Sequence, residues 1–334
     1  LLHFVGCEIA QKQTTTVPTT VAAYTTTTAA ETTTTEATTQ KAANYPVTIN
    51  FYTAKKEPIS FTYTKSPEKT LVYGKNNVEI LLALGAGDKI MMVADVKKVL
   101  PELQAELDKI PNIYDEQGIN YFVREYALSL EPDMVIGWRS LFGMEDRMGS
   151  NDFWHERNIG TYINLNSALR GTESLENEYQ DIRNLAMIFD KMEKAEEIIS
   201  KIEADVAIGK KAAEGKEPQK ILILENWKGE YDVYPATSVI GDIATQLGAV
   251  VVGERGWTDE QIVAANPEAI YSVHVGSVKP EEAIALFLDN PALASVDAIK
   301  NKKVYPVSYG LAYTPGIRCG STVKMFLKYM YGIE

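Results

Sequence analysis

A chain of 334 residues is long enough for two modest domains that each bury a core. Its 45% hydrophobic and 23% charged residues are ordinary for a soluble globular protein, and a formal net charge of −12 argues against a nucleic-acid partner, because phosphates need a positive surface. The two cysteines, Cys7 and Cys319, stand near opposite ends without C-x2-C spacing, so neither a structural zinc site nor a disulfide between them is expected.

The sequence opens Leu1-Leu2-His3-Phe4-Val5-Gly6-Cys7 without an initiator Met, which reads as the end of an apolar signal segment, residues 1–7. A small residue followed by Cys after apolar residues resembles a bacterial lipobox, in which the Cys7 thiol is acylated and becomes the new N-terminus; Phe4 departs from the Leu usual there. No other stretch reaches the roughly 18 to 20 apolar residues of a membrane span, so the lipid is the expected membrane attachment, with the rest of the chain outside the membrane. Residues 8–44 are dominated by Thr and lack apolar periodicity, so they are expected to form a disordered tether.

Order is predicted from Tyr45. Val47–Phe51 and Ile59–Tyr63 alternate polar and apolar around a Lys-Lys-Glu-Pro turn, which is a β-hairpin pattern. Thr70–Tyr73 reads as a buried strand, followed by a Gly-Lys-Asn-Asn loop and a helix over Val78–Leu84 that stops at Gly85. Lys89–Val93, Met134–Trp138 and Thr161–Asn164 are further strands, and their alternation with helices predicts an α/β layer with a mostly parallel sheet. From Thr172 to Ala213 apolar residues recur at steps of three and four, through Leu175, Tyr179, Ile182, Leu185 and Phe189 to Val206. That period gives one amphipathic helix of roughly 60 Å, or two broken near the middle. Ile221–Leu224, Ala249–Val252, Ala269–Val273 and Lys303–Val307 supply a second set of strands.

The two halves echo each other. Leu81–Ile90 (LLALGAGDKI) resembles Ile243–Val252 (IATQLGAVVV), and Glu131-Pro132-Asp133 before one strand resembles Asn266-Pro267-Glu268 before another. The fold expected is α/β, with two Rossmann-like lobes (45–171 and 215–334) bridged by one long α-helix (172–214) and a ligand cleft between them.

Candidate chemistry gathers at the predicted strand ends. Tyr73, Lys75 and Asn76 follow the first strand, and Trp138 and Arg139 follow the third. Trp227, Tyr231 and Tyr234 follow Ile221–Leu224, His274 ends Ala269–Val273, and Tyr309, Tyr313 and Arg318 follow the last strand. Aromatic walls with a few cations suit a flat or bulky, partly anionic ligand. His155 reads as a packing residue, and three histidines, one of them in the processed terminus, do not make a dedicated metal-capture site. Gly85-Ala86-Gly87 follows a helix instead of opening one, so it is no dinucleotide fingerprint, and neither a P-loop nor a G-x-S-x-G elbow is present.

Several runs together are similar to one family. Ser66-Pro67-Glu68-Lys69-Thr70-Leu71-Val72, Val78 to Ile90, Leu130 to Trp138, Glu260 to Ile270 and Asn301 to Tyr305 resemble, in order and spacing, substrate-binding proteins that serve ABC importers of ferric siderophores, haem and cobalamin. The resemblance runs from about Tyr45 to the C-terminus. It implies a monomeric, non-enzymatic protein without an intrinsic cofactor, whose partners are a metal-complex ligand and an ABC permease with its ATPase. It also implies that one glutamate per lobe docks on permease arginines, and the matching positions are Glu125 and Glu260, each seven residues before the proline of its echo. The stretch Lys97–Asn120 points to no one ligand, so ferric siderophore, haem and corrinoid all stay open. The rival readings are a tetrapyrrole metal chelatase, which would pair His274 with Asp95 in the cleft, and an extracellular sensor on the same fold.

Overall fold

The computed structural model describes residues 44–114, 122–227, 230–276 and 278–334, the side chain of Trp227 excepted. The lipidation expected at Cys7 and the Thr-rich tether lie outside these residues.

The predicted hairpin forms: β1 (Val47–Tyr52) pairs antiparallel with β2 (Pro58–Tyr63), Val47 facing Tyr63. The period of two turns Ile49 and Phe51 into the core beneath. Next come β3 (Thr70–Tyr73), β4 (Ile90–Ala94), the short β5 (Ile113–Tyr114), β6 (Met134–Gly137) and β7 (Gly160–Ile163). They form a parallel sheet in the order β5-β4-β3-β6-β7. The second sheet holds β8 (Gln219–Trp227), β9 (Glu230–Val233), β10 (Ala249–Val252), β11 (Ala269–His274) and β12 (Val304–Ser308). Its parallel order is β10-β8-β11-β12, with β9 returning antiparallel on β8. In each sheet the first strand of the unit lies inside, so consecutive connections leave it in opposite directions. Open α/β sheets bind ligands outside the carboxyl ends of the strands at such a switch point.

The sequence echo is a backbone echo. The helices Lys75–Ala83 and Val239–Gln246 each run into a Leu-Gly pair, and Gly85 and Gly248 take φ of 73° and 90° before the next strand. A Cβ on Gly248 would stand 2.7 Å from that of Ala213, so both conformation and space require glycine there. Glu131 and Asn266, the residues before the paired prolines, are left-handed at φ 50° and 44°; they end the helical turns that precede β6 and β11.

Residues 172–214 are two helices and not one continuous rod. Leu175–Ile188 ends at Phe189, and Met192–Ala213 follows after Asp190 at φ 55°. The Lys191 N–H reaches back to the Ala186 carbonyl at 2.7 Å, which closes the first helix in a Schellman-like turn. The first helix touches β1, the helix Lys75–Ala83, the helix Val239–Gln246 and the turn Gly316–Arg318. The second packs on the C-terminal helix Cys319–Tyr331, close enough that a Cβ on Gly209 would stand 3.0 Å from the Leu327 side chain. Ile182, Leu185 and Ile188 are fully buried, at about 1.5–3 kcal/mol each. Glu178, Asp181 and Asn184, each one turn before one of these three, are buried on the same side of the helix.

Candidate ligand site

β3 ends in Tyr73, and Gly74 follows at φ 92° with no room for a side chain, since a Cβ would lie 3.0 Å from the Trp138 indole. The chain therefore turns directly into the helix Lys75–Ala83: the loop expected over Gly74–Asn77 is the first turn of that helix. This turn sets Asn76 against Trp138, whose Nε1–H donates to Asn76 Oδ1 at 2.9 Å. Trp138, just past β6, meets Tyr73 edge-on at 5.5 Å between ring centroids and Tyr313 edge-on at 5.9 Å. Tyr313 stacks on Tyr309 at 5.5 Å and 22°. A row of rings thus runs from the ends of the first sheet to the end of β12 in the second.

Two cavities flank this row. One, of about 300 Å³, is lined by Lys75, Asn76, Trp138, Tyr309, Tyr313 and Arg318, all predicted site residues. Glu79, Asp95, Lys97, Val275 and Thr314 also stand in its wall. The other, of about 250 Å³, takes in Tyr234, Glu225, Asp232, Arg170 and Arg255, and shares Tyr309, Tyr313 and Thr314 with the first.

The charges in the two cavities are held differently. Arg318 lines the first but forks onto the fully buried Glu79, with Nε 2.7 Å from Oε2, and donates to the Lys98 carbonyl at 2.9 Å. Its guanidinium therefore clamps the C-terminal turn to the helix Lys75–Ala83. Lys75 has no salt bridge among the described residues, and burial together with the Arg318 charge lowers its pKa. Asn76 Nδ2 is buried without a hydrogen-bond partner. In the second cavity Tyr234 donates to Glu225 Oε2 at 3.2 Å, and burial raises the Glu225 pKa. Aromatic faces, a lysine and unpaired polar groups are features of a ligand-binding cleft.

The profile of the periplasmic binding protein family matches residues 71–308, from β3 to the end of β12. The chain belongs to that family. It is similar to an uncharacterized ABC transporter substrate-binding lipoprotein of Bacillus subtilis, YvrC, at 25% identity over 87% of this chain and 88% of the relative. It is also similar to the petrobactin-binding protein YclQ of the same organism, at 21% identity over 81% and 84%. Among solved structures, a periplasmic binding protein from Veillonella parvula superposes with a TM-score of 0.78 at 28% identity, covering 86% of this chain and 92% of that one. Solute binding, not catalysis, is the role of the periplasmic binding protein family.

Seen as a periplasmic binding protein, the chain brings most but not all of the predicted residues to the cleft. Tyr73 is buried behind Trp138, and Arg139 lines neither cavity, its backbone N–H going to Ser167 Oγ at 2.8 Å. Tyr231 points to the opposite face of the second sheet, where it stacks on Phe287 at 5.7 Å and donates to Asp259 Oδ1 at 2.7 Å. It stands three residues from Tyr234, and an odd step along extended chain changes faces. His274 is half-buried at the end of β11 and lines neither cavity, whereas Asp95 lines the first, so the pair a chelatase would use does not share a wall. The Trp227 backbone closes β8 opposite Glu230, and its side chain lies outside the described residues. His155 packs on Phe61 at 4.6 Å and shares a 2.8 Å hydrogen bond with Thr161.

Glu225 and Arg170 are site residues that sequence reasoning passed over. Glu225 had a signal, a carboxylate that ends the apolar run Ile221–Leu224; Arg170 sits in a turn with no pattern to mark it. Glu125 and Glu260 both lie exposed in the first turn of a short helix, at Arg124–Ser129 and Asp259–Ala265.

Proposed function

We propose that the protein captures an iron complex (a ferric siderophore or haem) or a corrinoid outside the cell membrane and hands it to an ABC permease. The observation that carries this reading is the row of rings Tyr73–Trp138–Tyr313–Tyr309, which joins the carboxyl ends of both sheets between two cavities. Such a surface suits a flat or bulky complex better than a bare ion. Among the described residues no group of three or more His, Cys, Asp or Glu side chains could hold a metal on its own.

On this reading the lobes are residues 45–171 and 215–334, with the helical segment 172–214 between them. Glu125 and Glu260 are the contacts for permease arginines, and acylated Cys7 is the anchor. The names of the two Bacillus relatives, a substrate-binding lipoprotein and a petrobactin-binding protein, support anchor and cargo class respectively. Thermal unfolding of the purified protein with haem, cobinamide and ferric hydroxamates tests the reading. A ligand at about 100 times its Kd adds roughly 2.7 kcal/mol, a clear rise in Tm. No rise with any of the complexes would count against this cargo class.

A further inference from the structure

Glu225 closes β8 as a single carboxylate at the end of an apolar run, and it is 4% exposed. One of its oxygens accepts from Tyr234, and the other, Oε1, is buried without a partner in the wall of the second cavity. Glu225 has no salt bridge among the described residues. Thr314, 3% exposed and in the wall of both cavities, likewise has an unpartnered Oγ1. A buried polar atom left unpaired costs about 1–3 kcal/mol, and more when charged, so such a wall is complementary to whatever supplies the missing donor. Across the Tyr309–Tyr313 stack, where Glu79 is taken up by Arg318 and Asp95 stands in the same wall, Asn76 Nδ2 is an unpartnered donor and Lys75 a cation without a salt bridge among the described residues. Arg170, Glu173, Asp232 and Arg255 also face the second cavity; Arg170 and Arg255 are exposed, Glu173 and Asp232 are half-buried, and Asp232 and Arg255 stand 3.9 Å apart, so Glu225 is the one fully buried carboxylate in this wall.

Resting on the reading that this cleft holds the cargo, we infer that the cargo is two-ended: an N–H donor, ammonium or amide, docks on Glu225, and an anionic or carbonyl group docks on Lys75 and Asn76. Haem answers only the second requirement, since its rim carries carboxylates and no N–H group. A ferric hydroxamate with an ammonium tail and a corrinoid fringed with amides each answer both.

Isothermal titration of the wild-type protein and of Glu225→Gln with ferrioxamine B, dicyanocobinamide and haem decides the matter. Tyr234 keeps the amide oxygen of the glutamine, so its NH2 would face the cavity and turn an acceptor into a donor. Ferrioxamine B or cobinamide is expected to bind the wild type at least ~10-fold tighter than haem and to lose ~10-fold or more on Glu225→Gln, with haem moving less than about 2-fold. Which of the two binds tells ammonium from amide. Equal or tighter binding of haem overturns the inference, and so does indifference of a variant whose circular dichroism is native. Should the variant not fold, the wild-type ranking decides alone. If none of the three binds the wild type, the cargo reading itself falls, and this inference with it.

Discussion

Glu79 and Arg318 show how much one pair of side chains can hold. Glu79 is fully buried in the helix Lys75–Ala83, accepts the fork of Arg318, and takes the Leu100 N–H at 2.8 Å besides. Removing one partner strands the other charge away from water, at about 3–5 kcal/mol. Arg318→Met is therefore expected to lower the unfolding free energy by about 3 kcal/mol or more, read from denaturant midpoints. Adding Glu79→Gln should recover part of the loss, because the neutral amide oxygen still serves Leu100. A loss under about 1 kcal/mol in the single variant would mean that water reaches the pair. Sequence could point to Trp138, Tyr309 and Arg318, since each follows a predictable strand end. It could not point to Glu79, which looks like a solvent position until its partner, far along the chain, arrives beside it.

At the scale of the element, the helix Leu175–Ile188 buries carboxylates among its apolar side chains, with Glu178 and Asp181 one turn before Ile182 and Leu185. Asp181 accepts from Tyr162 at 2.6 Å and from the Leu165 N–H at 3.0 Å, while Glu178 accepts from Asn166 at 2.6 Å and from the Gly316 N–H at 2.7 Å. Burial pushes the Glu178 carboxyl up to about 7, and burial with the charge of Glu178 pushes Asp181 up too; Cys319, fully buried at the start of the last helix, adds a thiol raised by the same cause. A carboxyl that holds its proton more tightly when folded contributes stability that is complete below about 4.5, its ordinary value, and is lost as pH rises through about 7. Stability should therefore decline by an amount on the order of 1–3 kcal/mol across that window, and Glu178→Gln, which cannot titrate, should flatten the slope whatever its own stability. Urea unfolding at half-unit steps of pH checks this, and identical slopes in both proteins would refute it. The exposed carboxylates with lowered pKa, such as Glu196 and Asp297, titrate below the window. Periodicity disclosed the apolar stripe of this helix but not the burial of Glu178 and Asp181 beside it, which depends on Tyr162, Asn164 and Asn166 at the end of β7 and just beyond. The period allowed one helix or two across 172–213, and the break falls at Asp190, where no Gly or Pro marks the place.

For the whole molecule, the alternation of strands and helices already implied an α/β fold, and the paired Leu-Gly and X-Pro signals marked two similar halves because they encode the same backbone turns. The strands β5 and β9 escaped notice: the first spans only two residues, and the second returns antiparallel, outside the βα rhythm. Delivery to a permease is a property of the whole surface, and a Glu125→Ala, Glu260→Ala double variant should separate it from capture. Both side chains are exposed and lie away from the cavities, so cargo affinity should stay within about 2-fold while uptake by cells is lost. Undiminished uptake would remove the docking role.

The return of the C-terminal turn Gly316–Arg318 to the first half of the chain, pinned by Glu178 and Glu79, has a mechanical consequence. Segments remote in sequence are thereby tied, so a force that pulls the last turn away from the helix Lys75–Ala83 must first part a buried ion pair.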